Sequence, residues 1–181
     1  PLHHGYLKAN PDRVAHWREV LRATGPGPKI GVSWRGGTEQ TRTVVRSIEP
    51  EQLAQLARGI PAQWVCLQYG AVGEDLARAA GEGLAMHYWK PAIGDLDEFA
   101  ALICALDLVI TVCNTTVHYA GALGQPVWVM APKVPEWRYG LYSANLPWYP
   151  SSHIYRQDVA GDWNTLLARV RRDLSHAAPN L

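Results

Sequence analysis

The segment VCNTTVHYAGALG, Val112 to Gly124, carries the strongest chemical signal in the chain. An apolar run ends, a few polar residues follow, and a helical pattern begins. The first-turn amides of such a helix lack internal partners and carry partial positive charge, which suits a phosphate. Asn114 or Thr115 can cap the helix. The Thr115 and Thr116 hydroxyls can reach phosphate oxygens, and His118, in the first or second turn, can add a donor. Ala120, Gly121 and Ala122 are small, so the helix can lie close to a sheet. The same pattern also describes an ordinary capped helix with a packed histidine.

Other candidates surround this one. Trp34, Arg35, Gly36 and Gly37 follow an apolar run, and glycine lets backbone approach a ligand closely. A tight turn would use the same residues. No G-x-G-x-x-G opens a helix there, so the dinucleotide fingerprint is absent. Arg35, Arg42 and Arg46, with Lys133 and Arg138 on another loop, supply positive charge. A departing diphosphate needs such charge, and arginine can hold phosphate in a bidentate way. Arg46 stands out because it immediately precedes Ser47 and a helix start. Gln68 and Tyr69 leave a second apolar run at the same end. Asp95 and Asp97 can take ribose hydroxyls or simply cap a helix. Trp137, Tyr139, Tyr142, Trp148 and Tyr149 can stack on a sugar or base, or pack against their own sheet.

Some chemistries are excluded. Cys66, Cys104 and Cys113 lack paired CxxC spacing, and His3 and His4 sit at the chain's start, so no metal set is expected. No G-x-S-x-G elbow anchors a hydrolase triad. Lys+Arg is 17 against Asp+Glu 16, which gives no excess of charge for nucleic-acid or membrane-surface binding. No apolar run approaches the ~18 residues of a spanning helix. The three cysteines lie in apolar stretches and read as buried thiols in a reducing compartment, so a cytoplasmic location is expected. The chain starts at Pro1 with no charged-then-apolar leader, which points to a processed product or a piece of something longer.

The elements that must position these residues alternate. Residues 11–23 have helical spacing at Val14, Trp17, Val20 and Leu21. Strands are expected at 29–34, 63–68, 84–89, 106–112, 126–130 and 153–156. Helices are expected from Pro50 to the Gly59 cap, at 74–80, from Asp95, at 115–123 and at 162–174. Asp95 with Glu98 three residues on resembles a capping box. Residues 38–46, polar and basic, read as an exposed loop, and 131–150, rich in Trp, Tyr and Pro, as an irregular one. Hydrophobic residues make up 48 % of 181, enough to fill the core of one domain. Strands alternating with short helical crossovers predict an α/β fold: one Rossmann-like, doubly wound, mostly parallel sheet of about six strands with helices on both faces. Such sheets bind ligands beyond the carboxyl ends of the strands, where strand order reverses.

Several blocks together resemble a known family. These are KIGVSWRGG (29–37), RSIEPEQLAQLA (46–57), WVCLQYG (64–70) and the run LICALDLVITVCNTTVHYAGALGQPVWVM (102–130), followed by PEWRYG (135–140) and PWYPS (147–151). They resemble the C-terminal part of bacterial tetratricopeptide-repeat glycosyltransferase-like proteins. The long run is also similar to the donor segment of lipopolysaccharide heptosyltransferases, and its Asn-Thr-Thr to the His-Thr-Thr of protein O-GlcNAc transferases.

The resemblance implies the C-terminal, donor-binding half of a GT-B enzyme, which transfers a sugar from a nucleotide diphosphate to a protein or glycan hydroxyl. Asn114, Thr115, Thr116 and His118 would meet the donor phosphates. Arg46 matches the place of a Lys that neutralises the leaving phosphate, with a different geometry. Cys113 falls where many relatives have Asp, so sugar identity does not carry over. The general base usually comes from the other half, which implies a missing N-terminal acceptor domain and helical repeats as partners. No cofactor or metal is implied, since the nucleotide-sugar is a substrate. The expected division is 1–28 as an N-terminal segment and linking helix, 29–176 as the nucleotide-sugar-binding domain, and 177–181 as a tail. A non-catalytic nucleotide-binding module and a protein-interaction module are the competing readings.

Overall fold

In a computed structural model, described here for residues 5–37 and 43–181, five short apolar runs pair side by side. They are β1 (Lys29–Ser33), β2 (Gln63–Cys66), β3 (Leu108–Val112), β4 (Val127–Ala131) and β5 (Ser152–Arg156). All pairings are parallel, in the order β2-β1-β3-β4-β5. Ser33 stands in register with Thr111, and Val112 with Met130.

Alternation along the strands divides the core in two. Ile30, Val32, Leu108, Ile110 and Val112 face one layer, where α7 (Trp163–Ala177) contributes Leu166, Leu167 and Val170. Leu53 and Leu56, from α2 (Pro50–Leu53) and the 3-10 turn after it, join them, with Ala79 of α3 (Gly73–Gly81). Val65, Val109, Val127 and Val129 face the other layer, against α5 (Leu96–Ala105) and α6 (Thr115–Ala122). There α1 (Pro11–Arg22) packs on α5, with the Trp17 indole donating to Glu98 at 2.7 Å. β3 is buried along its whole length, as a central parallel strand covered on both faces must be.

The sixth expected strand, 84–89, is reduced to one parallel bridge between His87 and Val65. Cys66 donates to the His87 carbonyl and His87 to the Trp64 carbonyl, both at 2.8 Å. Its neighbour β2 has only four residues to pair with. Gly83, in the left-handed region at φ +92°, bends the chain just before it. The helix α4 (Lys90–Gly94), with Pro91 in its first turn, closes the other side. The bridge still lies outside β2, so strand order reverses between β1 and β3. Among the described residues no helix is long and apolar enough to cross a membrane.

Candidate functional site

At the reversal, β1 and β3 end side by side and α6 begins. A buried polar cluster fixes that junction. Asn114 caps α6, its side-chain oxygen accepting from the Thr116 amide at 3.0 Å and from the Thr111 hydroxyl at 3.0 Å. Its amide nitrogen donates to Ser33 Oγ at 2.8 Å and to the Arg35 carbonyl at 3.1 Å. Ser33 Oγ lies 2.5 Å from Thr111 Oγ1 and donates to Thr116 Oγ1 at 3.3 Å. Ser33, Thr111, Asn114 and Thr116 are all buried. Each polar atom is therefore matched inside the fold, as burial requires. Thr116 turns its hydroxyl inward, while Thr115 is exposed beside the first-turn amides.

The loop after β1 is held just as firmly. The Gln68 side-chain oxygen, itself buried, accepts from the Trp34 and Arg35 amides at 3.1 and 2.8 Å. The Trp34 indole is buried and donates to Asp75, which also pairs with Arg35 at 3.0 Å. Arg35 further donates to the Ala71 carbonyl. A Cβ on Gly36 would come within 2.6 Å of the Cys113 carbonyl oxygen. The close approach that the glycine permits is thus to the chain's own backbone. Tyr69 is exposed at the same end. A cleft of about 310 Å³ is lined by Trp34, Arg35, Thr43, Ser47, Glu49, Asp75 and Arg78. A larger one of about 760 Å³ lies at the other end of the sheet, among Pro28, Pro61, Gln63, Asp107 and Leu181, away from α6's start.

Arg46 reaches the junction from the 3-10 turn Thr43–Arg46. Although expected on an exposed loop, its side chain is only 11 % exposed. It donates through Nη2 to the Cys113 carbonyl, one residue before the cap. Its Nη1 pairs with Glu136 Oε1 at 2.7 Å. Glu136 Oε2 is buried without a hydrogen-bond partner among the described residues. Arg42 and the His3-His4 pair lie outside the described residues.

The aromatic loop divides. Tyr139 and Tyr149 are buried against α6, whereas Trp137, Tyr142 and Trp148 are exposed. His118 Nδ1 lies 3.2 Å from the Tyr149 hydroxyl. Burial, and secondarily the charge of Arg138, hold His118 below the ordinary imidazole range. Burial pushes the Cys113 thiol up to about 12, with Glu136 adding to the effect. Arg138 lies over the Trp137 ring at 5.8 Å, and Lys133 Nζ donates to the Asp158 carbonyl. Gly121 does not serve contact with the sheet: a Cβ there would lie 2.3 Å from the Tyr149 ring.

Asp95 caps α5, accepting from the Asp97 and Glu98 amides at 2.9 Å, and this bonding holds its carboxyl below the usual range. The reciprocal arm of a capping box is missing, because the Glu98 carboxylate is taken by Trp17 and Arg13. Asp97 is exposed beside it. The structure thus brings Arg46, Asn114, Thr115, Thr116, Gly36 and Arg35 together, and holds Asp95 and Asp97 at the start of a neighbouring helix.

Sequence reasoning missed Ser33, Thr111 and Glu136 as parts of this junction. Ser33 and Thr111 had a signal: each is a polar residue in an otherwise apolar strand. Glu136 had none, since its partner is ninety positions away. Among the described residues no group of three or more His, Cys, Asp or Glu is placed to hold a metal ion.

These features can be set beside known proteins. No family model matches the chain. The solved structure of a glycosyl transferase family 9 protein from Veillonella parvula DSM 2008 superimposes with a TM-score of 0.64 at 14 % identity, over 97 % of this chain and 52 % of that one. E. coli ADP-heptose lps heptosyltransferase II superimposes with a TM-score of 0.68 at 16 % identity, over 96 % and 53 %. The chain shares the fold of about half of each of these two proteins. At these identities the likeness concerns the fold alone. In sequence, Protein FlbA of Caulobacter vibrioides (strain ATCC 19089 / CIP 103742 / CB 15) is 35 % identical over 175 residues. The match takes in 94 % of this chain, which spans 29 % of the length of that curated relative.

Proposed function

We propose that this chain is the donor-binding domain of a GT-B glycosyltransferase, which moves a sugar from a nucleotide diphosphate to a protein or glycan hydroxyl. The observation that carries the reading is the start of α6. An exposed Thr115 and first-turn amides open at the strand-order reversal, with Arg46 bonded to the carbonyl just before the cap. A diphosphate docks on the Thr115 hydroxyl and those amides, with His118 as a further donor. When the bond between the sugar's anomeric carbon and the phosphate oxygen breaks, negative charge grows on the leaving diphosphate. The α6 amides and Arg46 stabilise it. Helix-terminus charge contributes only about 0.3–1 kcal/mol at exposed sites, so direct hydrogen bonds supply most of the affinity.

Gly36 and Gln68 shape the floor rather than touch the ligand, together with Trp34. Arg35, Gly37, Tyr69, Asp95 and Asp97 remain candidates for the sugar and ribose. The attacking hydroxyl and the base that activates it belong to an acceptor half outside this chain, and tetratricopeptide repeats are proposed as further partners. The scheme needs no metal and no cofactor, and a cytoplasmic location goes with it. A second reading, a protein-interaction module, is favoured by the exposed Trp137, Tyr142 and Trp148. Calorimetric titration with UDP, ADP and GDP separates the two: binding of at least one supports the donor site, and none at millimolar concentration supports the interaction module.

A further inference from the structure

We infer that Tyr149 is a positioning residue for His118: its phenol donates to Nδ1 and so holds the imidazole as the Nε2–H tautomer, one neutral donor for an anionic ligand at the start of α6. This rests on the reading of α6 proposed above and adds the residue that sets the state of its histidine.

The placement of Tyr149 is built from several sides. Its ring fills the space that Gly121 leaves open, where a Cβ would meet Cγ of the ring at 2.3 Å. Gly121 is three residues on from His118, so both lie on one face of α6. The tyrosine's backbone is fixed as well: its amide donates to the Leu146 carbonyl, and Ser152 Oγ donates to its carbonyl at 2.7 Å. The Leu146 amide in turn donates to Ser152 Oγ at 2.8 Å. Only the hydroxyl end is left to choose a partner, and it lies 3.2 Å from His118 Nδ1 and 3.3 Å from the Tyr6 hydroxyl.

The direction of the first bond follows from chemistry. A phenol has one proton to give, and a neutral imidazole has one nitrogen that accepts and one that donates. An imidazole nitrogen is a far better acceptor than a phenol oxygen, so Tyr149 gives its proton to Nδ1. Tyr6 then donates to Tyr149. Burial supports this, keeping the Tyr149 phenol protonated and His118 neutral. The ring proton of His118 must therefore sit on Nε2, which no hydrogen bond from the described residues reaches. A neutral Nε2–H donates to a phosphate oxygen without needing a pH at which imidazole is charged.

The test uses the 181-residue chain with 15N-labelled histidine, at a pH well above the ordinary imidazole range. Long-range 1H–15N correlations distinguish the two tautomers of His118 directly. The expected wild-type result is protonated Nε2 with bare Nδ1. Tyr149→Phe keeps the ring in the Gly121 space and should give a mixture of tautomers. Tyr6→Phe, at an exposed position, should leave the wild-type tautomer intact. A wild-type His118 protonated at Nδ1 overturns the inference, as does an unchanged tautomer in Tyr149→Phe. If that variant fails to fold, the wild-type and Tyr6→Phe spectra still decide. In a second arm, inorganic pyrophosphate is titrated into wild type and Tyr149→Phe. The expected loss is about three- to tenfold in affinity, the size of one modest hydrogen bond. Equal affinity contradicts the positioning role. If pyrophosphate does not bind wild type at all, the α6 donor-site reading fails instead, and the tautomer alone judges Tyr149.

Discussion

Glu136 pairs with Arg46 at 2.7 Å and so places a resident anion beside the start of α6. The residue proposed to meet a leaving phosphate already has a carboxylate on one amino group and the Cys113 carbonyl on the other. A ligand phosphate must displace Glu136 or share Arg46 with it. The second Glu136 oxygen is buried without a partner among the described residues, which lowers the cost of exchange.

Replacing Glu136 by Gln removes the competing charge and keeps the shape. Binding of a nucleoside diphosphate, measured by calorimetry, should tighten by about three- to tenfold, the scale of a modest electrostatic contact. Weaker binding in this variant would mean that Glu136 holds Arg46 ready rather than blocking it. Arg46→Ala should instead destabilise the chain, since it strands the carboxylate. The pair is neither fully buried nor exposed, so the loss should fall at about 1–3 kcal/mol, read as a shift in the urea midpoint.

Thr115 and Thr116 are adjacent but should fail differently. Thr116→Val removes the longest of three contacts of Ser33 Oγ, which keeps Thr111 and Asn114, and should cost about 0.5–1.5 kcal/mol of stability. Thr115→Val changes an exposed hydroxyl and should leave the urea midpoint almost unmoved. Asn114→Ala should be the most costly of the three, at about 2 kcal/mol or more, because it removes the cap and the bond to Ser33 together.

Gly36→Ala should destabilise more than its gain in chain stiffness can offset. The new methyl would meet the Cys113 carbonyl oxygen at 2.6 Å, and that is backbone at the start of α6. Overpacking of this kind costs about 1–3 kcal/mol. Thermal denaturation of the variant checks it, with an unchanged midpoint as the contrary result.

The buried thiols predict a loss of stability toward alkaline pH. Burial raises both Cys66 and Cys113 to about 12 from an ordinary 9.0. The folded chain then holds protons that the unfolded chain gives up, so stability is full below pH 9 and falls as pH rises toward 12. Each thiol removes at most about 1.4 kcal/mol per pH unit across that window. Urea midpoints recorded through this range should fall as pH rises. At neutral pH a thiol reagent should label the half-buried Cys104 first, with the other two following only as fast as the chain unfolds.

Much of this architecture was legible because burial leaves a mark on residue order. The near-continuous apolar run LVITV placed β3, and the polar residues and helical pattern that follow it placed α6, whereas the point of strand-order reversal had no local signal. The run LAMHYW has equally good strand composition, yet only His87 pairs. Pairing depends on how much partner backbone is free, which composition does not encode. Arg46 was expected to be exposed because its neighbours are polar, but Glu136, remote in the chain, covers it. Gly121 looked like a contact with the sheet, and the ring that needs its space comes from Tyr149 on a distant loop. Local pattern reports what an element is; these long-range partners are set only when the layers close.

The proposed activity stands or falls on whether a diphosphate docks at α6. The most direct measurement is a calorimetric comparison of UDP, ADP and GDP with their nucleosides, on wild type and on Thr115→Val. A diphosphate should bind wild type clearly better than its nucleoside, and Thr115→Val should weaken the diphosphate while leaving the nucleoside unchanged. Equal affinity for diphosphate and nucleoside, or an equal loss of both in the variant, would contradict a phosphate site there.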